Sequence, residues 1–114
     1  MNLLAFQKQY PDLSNFLGAC FPDADLEDLS DTEVAEEFAL FSSSPEDRRL
    51  VLEQGSLLLA LEPFPWKAVG DEANRYFTGP VEAKEWLSSV LVTVRRASRG
   101  EPRSGAESVG DRSP

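Results

Sequence analysis

The sequence predicts an all-α fold, a small single-domain bundle of about five short to medium helices. Its 114 residues correspond to one domain at roughly 150 residues per domain. Hydrophobic residues make up 41% of the chain, enough to close one modest core. No stretch alternates with period two for long, whereas several carry apolar residues at three-and-four spacing between clear caps.

Pro11 suits a first helical turn, where its missing N–H costs nothing. Leu13, Phe16, Leu17 and Cys20 then line one face until Pro22 ends the helix. A shorter helix is expected before it, from Leu3 to Gln9. Ser30-Asp31-Thr32-Glu33 has the spacing of a capping box, so a second principal helix should follow, with Val34, Phe38 and Phe41 as its buried stripe and Glu33, Glu36 and Glu37 on its wet side. Ser42-Ser43-Ser44 breaks it. Ser44-Pro45-Glu46-Asp47 opens a third, with a cap, a proline at the first position and acids facing the positive helix end.

Leu50, Leu57, Leu58 and Leu61 give that third helix a core face, and Gly55 predicts a place where another helix crosses closely. Glu62-Pro63-Phe64-Pro65 is a stiff connector. A fourth helix is expected from Trp66 to Phe77, with Val69, Ala73, Tyr76 and Phe77 inward. Thr78-Gly79-Pro80 ends it and opens the last, from Val81 to about Arg96, with Ala83, Trp86, Leu87, Val90, Leu91 and Val94 inward. The helical domain is placed at residues 1–97. Residues 98–114 hold one bulky apolar side chain, Val109, which cannot offset the entropy of ordering, so they are expected to be a disordered tail.

The net charge of −9 is local. Residues 1–47 carry eleven acids against Lys8 alone, residues 48–97 are nearly neutral, and the tail is balanced. With no histidine, the usual general base at pH 7, the Ser-His and Cys-His pairs and the histidine ligands of zinc are all missing, so neither an enzyme nor a cofactor is expected. Cys20 is the one cysteine and makes no internal disulfide. It falls on an apolar stripe and reads as a small core residue. Trp66 and Trp86, at helical spacing among apolar neighbours, read as core as well. No apolar run approaches the roughly 18 residues of a spanning helix, and Lys8 follows the opening apolar residues, so a soluble cytoplasmic protein is expected.

Asp23-Ala24-Asp25-Leu26-Glu27-Asp28 invites a calcium reading, but the sixth position of that loop should be glycine and is Asp28, and the twelfth should be glutamate and is Val34. Helix-start preference accounts for Asp31 and Glu33. It does not account for Asp23, Asp25, Glu27 and Asp28, which crowd together with no base among them. A like-charge block of this kind serves either solubility or a basic partner. The paired arginines Arg48-Arg49 and Arg95-Arg96 are too few for a nucleic-acid footprint on so acidic a chain.

The run Tyr10-Pro11-Asp12-Leu13-Ser14-Asn15-Phe16-Leu17-Gly18-Ala19-Cys20-Phe21 resembles the opening of the small immunity proteins of contact-dependent growth inhibition (CDI) systems, Tyr-Pro-x-Leu-x-x-Phe-Leu-Gly-x-Tyr-Phe. The order downstream is similar: an acidic loop, a short acidic helix, a long Leu-rich helix and a last helix carrying Glu85-Trp86-Leu87 and Val90. Cys20 replaces the usual Tyr, and Pro22-Asp23-Ala24-Asp25 replaces the His, Asp and Trp that often follow. The resemblance implies a cytoplasmic, non-enzymatic inhibitor of the C-terminal toxin domain of a delivered surface protein, frequently a nuclease. Toxin contact is then expected at Asp23, Asp25, Glu27, Asp28, Glu33, Glu36 and Glu37, against a basic partner and without direct nucleic-acid or membrane binding. Two other readings compete. One is a helical adaptor that takes an amphipathic segment between the Leu-rich and last helices, and the other is an enzyme working through carboxylates alone, with a deep pocket holding at least two buried acids. Oligomeric state is left open.

Overall fold

The computed structural model describes residues 1–24 and 28–100. They form six helices and, among the described residues, no strand: α1 Leu3–Gln9, α2 Pro11–Cys20, α3 Asp31–Phe41, α4 Pro45–Leu59, α5 Trp66–Ala73 and α6 Pro80–Ser98. The short N-terminal helix is thus a separate element. The long α6 packs against α3, α4 and α5, while α2 packs against α4 and α5 from the other side and α1 closes over α5 and α2. The core between them is aliphatic and aromatic, with Phe6, Leu13, Phe16, Leu17, Phe21, Leu58, Val69, Leu87 and Val94 at its centre.

The caps follow the sequence. Ser30 accepts the Glu33 N–H while the Glu33 carboxylate accepts the Ser30 N–H at 2.8 Å, and Ser44 and Asp47 repeat the arrangement at the start of α4. One cap is not local. The side-chain oxygen of Gln54 in α4 accepts the N–H groups of Asp12 at 2.9 Å and Leu13 at 3.0 Å, satisfying two orphan donors of α2, and its amide donates to Asp12 at 2.8 Å.

Gly55 marks a close crossing. A Cβ at this position would run into the Leu91 Cδ1 methyl and lie 3.0 Å from Cδ2, so α4 and α6 approach as nearly as a missing side chain allows. Gly55→Val is therefore expected to destabilise the fold by about 1–3 kcal/mol through overpacking, although valine has the better helix propensity. Denaturant titration checks this, and a stabilised variant would contradict the crossing.

Three expectations are corrected. The inward face of α4 is Val51, Gly55 and Leu58, with Leu50 and Leu61 half-buried and Leu57 exposed. The crossing at Gly55 sets this rotation, and the leucine pattern alone does not reveal it. Phe41 is 80% exposed, because α3 buries Val34, Ala35, Phe38 and Ala39 and ends as Ser42 turns the chain away. The fourth principal helix stops at Ala73 instead of Phe77. Asn74 takes a left-handed conformation with φ 57°, which asparagine tolerates, so Phe77 is buried from a loop and Tyr76 points outward, 88% exposed. Ser98 closes α6, and its hydroxyl donates to the Val94 carbonyl at 2.6 Å. Residues 101–114 of the expected tail lie outside the described residues.

Candidate functional site

The acidic first half of the chain divides by what its carboxylates do. Asp12 is bonded to Gln54, Asp47 caps α4 and Glu46 pairs with Arg49 at 2.6 Å. The hydrogen bond and charge of Arg49 hold the Glu46 carboxyl below its usual value. Glu33 serves the α3 capping box, and Glu36, half-buried, is engaged as well. These groups have structural work to do.

Asp31 has the most. It accepts Arg75 Nη2 at 2.6 Å and Nε at 3.3 Å, and Trp86 Nε1 at 2.7 Å. Desolvation pushes its carboxyl upward, but the hydrogen bonds from Arg75 and Trp86 and the guanidinium charge outweigh that and hold it below the usual aspartate value. Around this node the Trp86 ring meets Phe21 edge-on at 5.1 Å and Phe77 at 5.5 Å, and the Arg75 guanidinium lies 5.7 Å from the Phe21 ring centre. The node ties the N-terminus of α3 to the end of α2, to α6 and to the loop before it. It thereby fixes the direction in which α3 presents its outer acids. Sequence reasoning assigned Asp31 only to the helix start, since its partners lie 44 and 55 residues away.

Asp23, Asp28 and Glu37 are different. All three are exposed, and none has an ion-pair or hydrogen-bond partner among the described residues. Asp28 has φ 59°, a conformation its short polar side chain tolerates, so the turn supplies a backbone reason for that residue. No such reason exists for the other two. Asp23, in the turn after α2, and Glu37, in the middle of α3, line one groove of about 150 Å³ together with Ala19, Cys20, Leu29, Val34, Phe38 and Ser42. Phe38 of this lining packs inward on Phe16 of α2, the two rings tilted by 38° with 4.2 Å between centroids. Of the seven expected contact residues, the fold brings Asp23 and Glu37 into one groove, leaves Asp28 exposed beside it in the chain, and turns Glu33 and Glu36 partly inward. Asp25 and Glu27 lie outside the described residues.

Cys20 forms part of the groove wall and is half-buried. Burial and the nearby Glu37 carboxylate push its thiol up, which keeps it protonated and unreactive at neutral pH. Trp66 and Trp86 both pack at the edge of the core, half-buried, with Lys67 Nζ 5.4 Å from the Trp66 ring centre. Between α4 and α6, where an adaptor would take a helix, Leu91 fills the centre against Gly55, and Leu57 and Val92 are exposed. Among the described residues no three Cys, Asp or Glu side chains gather closely enough to hold a metal ion, and no helix is long and apolar enough to cross a membrane.

No protein-family model, curated protein or solved structure matches the chain.

Proposed function

We propose that the chain is a binding protein of the CDI immunity type, which neutralises the C-terminal toxin domain of a delivered surface protein by covering it with the acidic α2–α3 face. One observation carries the reading. Asp23 and Glu37 come from different elements to line one groove, exposed and unmatched by any cation among the described residues, while other acids of the first half hold the fold together. Self-repulsion of this kind gains the fold nothing, and beyond solubility it serves a basic partner surface. A nuclease presents such a surface to phosphate. An acidic face laid on it excludes substrate, and the opposed fields speed encounter to about 10⁸ M⁻¹s⁻¹ at low salt. Phe41 and Leu40, exposed in the last turn of α3 beside the acids, supply apolar anchors of the kind that dominate interface energies. The reading places the protein in the cytoplasm, where the toxin would act.

The test uses the C-terminal domain encoded by the gene immediately upstream. Mixed with the purified chain, it should form a stoichiometric complex with a dissociation constant near or below about 10 nM and lose its toxic activity. A domain that stays free and active at micromolar concentrations contradicts the proposal.

A further inference from the structure

We infer that the corner where α3 meets α4 anchors the partner interface, with Leu40 and Phe41 entering an apolar recess that basic side chains border on the partner, and with Arg48 positioning them. The inference rests on the reading above for the identity of the partner. It adds which side chains carry the affinity and what holds them in place.

Glu37, Leu40 and Phe41 stand three and four residues apart and so share one exposed face of α3, while Val34, Ala35, Phe38 and Ala39 are turned into the core. Leu40 is 54% and Phe41 80% exposed, two adjacent large apolar side chains left in water where the helix ends. Their exposure gains the fold nothing, whereas burial of apolar surface drives association, and aromatic side chains are enriched at the cores of interfaces. Charge selects the occupant. A second copy pairing through the same corner would set two Glu37 carboxylates against each other on a chain of net charge −9, whereas a basic partner is drawn to that carboxylate. The corner is also pre-formed. Arg48, in the first turn of α4, donates from Nη1 to the Ala39 carbonyl and to the Ser43 carbonyl, each at 2.9 Å, and the Ser43 hydroxyl donates to the Phe38 carbonyl at 2.6 Å. One guanidinium nitrogen thus brackets the segment that carries Leu40 and Phe41. It satisfies a carbonyl that the end of α3 leaves without an intrahelical partner and sets a cation at the negative end of that helix. Side chains presented on a backbone fixed in this way lose less freedom on binding.

The test is a double-mutant cycle on the full chain. The C-terminal domain of the proposed toxin is titrated calorimetrically with the protein, with Phe41→Ala, with Arg48→Met and with the double variant, after circular dichroism has shown that each keeps its helicity. Phe41→Ala should weaken the complex at least about 30-fold, the scale of an interface anchor. Arg48→Met should weaken it about three- to tenfold, and should have no further effect once Phe41 is alanine. A general loss of structure would instead add to the effect of Phe41→Ala. Phe41 is exposed, so its replacement costs the fold little, and the anchor stays testable whatever Arg48→Met does to folding. Should that variant lose helicity, Arg48→Lys takes its place in the cycle. A complex of unchanged affinity with Phe41→Ala overturns the anchor and leaves the proposed function standing, and additive losses overturn the positioning role of Arg48. No complex with the unaltered chain refutes the proposed function, and the anchor with it. A chain that sediments as a dimer, and as a monomer with Phe41→Ala, assigns the corner to a second copy and likewise overturns the inference.

Discussion

Replacing Asp31 with alanine should lower the stability of the protein by about 2–3 kcal/mol, among the largest effects of any single polar substitution. The carboxylate accepts three hydrogen bonds, two from Arg75 and one from the Trp86 indole. Its loss leaves a guanidinium with only 17% side-chain exposure beside an unmatched indole N–H. Truncating one partner of a buried ion pair costs about 3–5 kcal/mol, and the pair here is placed below that range because Asp31 itself keeps 31% side-chain exposure. For a domain of this size the change corresponds to roughly 8–20 °C in the unfolding midpoint, which calorimetry would show directly. A shift under about 2 °C would mean that the node contributes little. The pH dependence has a definite sign. The folded carboxyl lies below the value of about 3.9 expected in the unfolded chain, so the contribution is present in full above that value and is lost as pH falls through the folded one. The stability difference between the protein and Asp31→Asn should therefore be constant from neutral pH to about 5 and shrink below about 4.

Reversing the charge at the groove should act on association and leave the fold intact. The double variant Asp23→Lys/Glu37→Lys exchanges two exposed carboxylates that have no ion-pair or hydrogen-bond partner among the described residues, so helicity should be unchanged and stability should move by no more than about 0.5 kcal/mol. Toward a basic toxin domain the association rate at low salt should drop about 10- to 100-fold, because attraction at the centre of the approach becomes repulsion. Reversing Asp71 on α5 and Glu85 on α6, both exposed and without an ion-pair or hydrogen-bond partner among the described residues, gives the same change in net charge at another place and serves as the comparison. An equal loss in that variant would show that total charge, not the α2–α3 face, governs the encounter.

What the sequence made legible was whatever is decided within a turn or two of the chain. The capping box at Ser30, the cap at Ser44, the prolines that open α2, α4 and α6, and the inward stripe of α6 apart from the half-buried Trp86 all follow from local spacing. The errors occur where a distant element decides. The leucines of α4 were assigned inward by hydrophobicity, yet the approach of Leu91 to Gly55 rotates the helix so that Leu57 faces water. Phe41 continues the periodic stripe of Val34 and Phe38, but α3 ends before anything can cover it. At Asn74 the signal was present in the residue itself, since asparagine is among the few side chains at ease in the left-handed region, and the apolar pattern continuing to Phe77 outweighed it.

The same division holds for the site. The acidic block was visible as composition, but composition does not separate an acid that caps a helix from one that faces outward unmatched. Asp31 and Asp23 look alike in the sequence. Only the folded chain brings Arg75 and Trp86 to the first, while the second lines one groove with Glu37.

The central claim is that this unmatched acidic face binds a basic partner. Its most direct test is the association rate with the C-terminal domain of the proposed toxin over a salt series, measured by stopped-flow mixing. With attraction across the α2–α3 face the rate should fall about 10-fold or more between 20 and 500 mM salt, as the screening length contracts from about 20 Å to about 4 Å. The Asp23→Lys/Glu37→Lys variant should show a much weaker dependence or an inverted one. A rate that stays flat across the series, equal in the protein and the variant, would contradict the account.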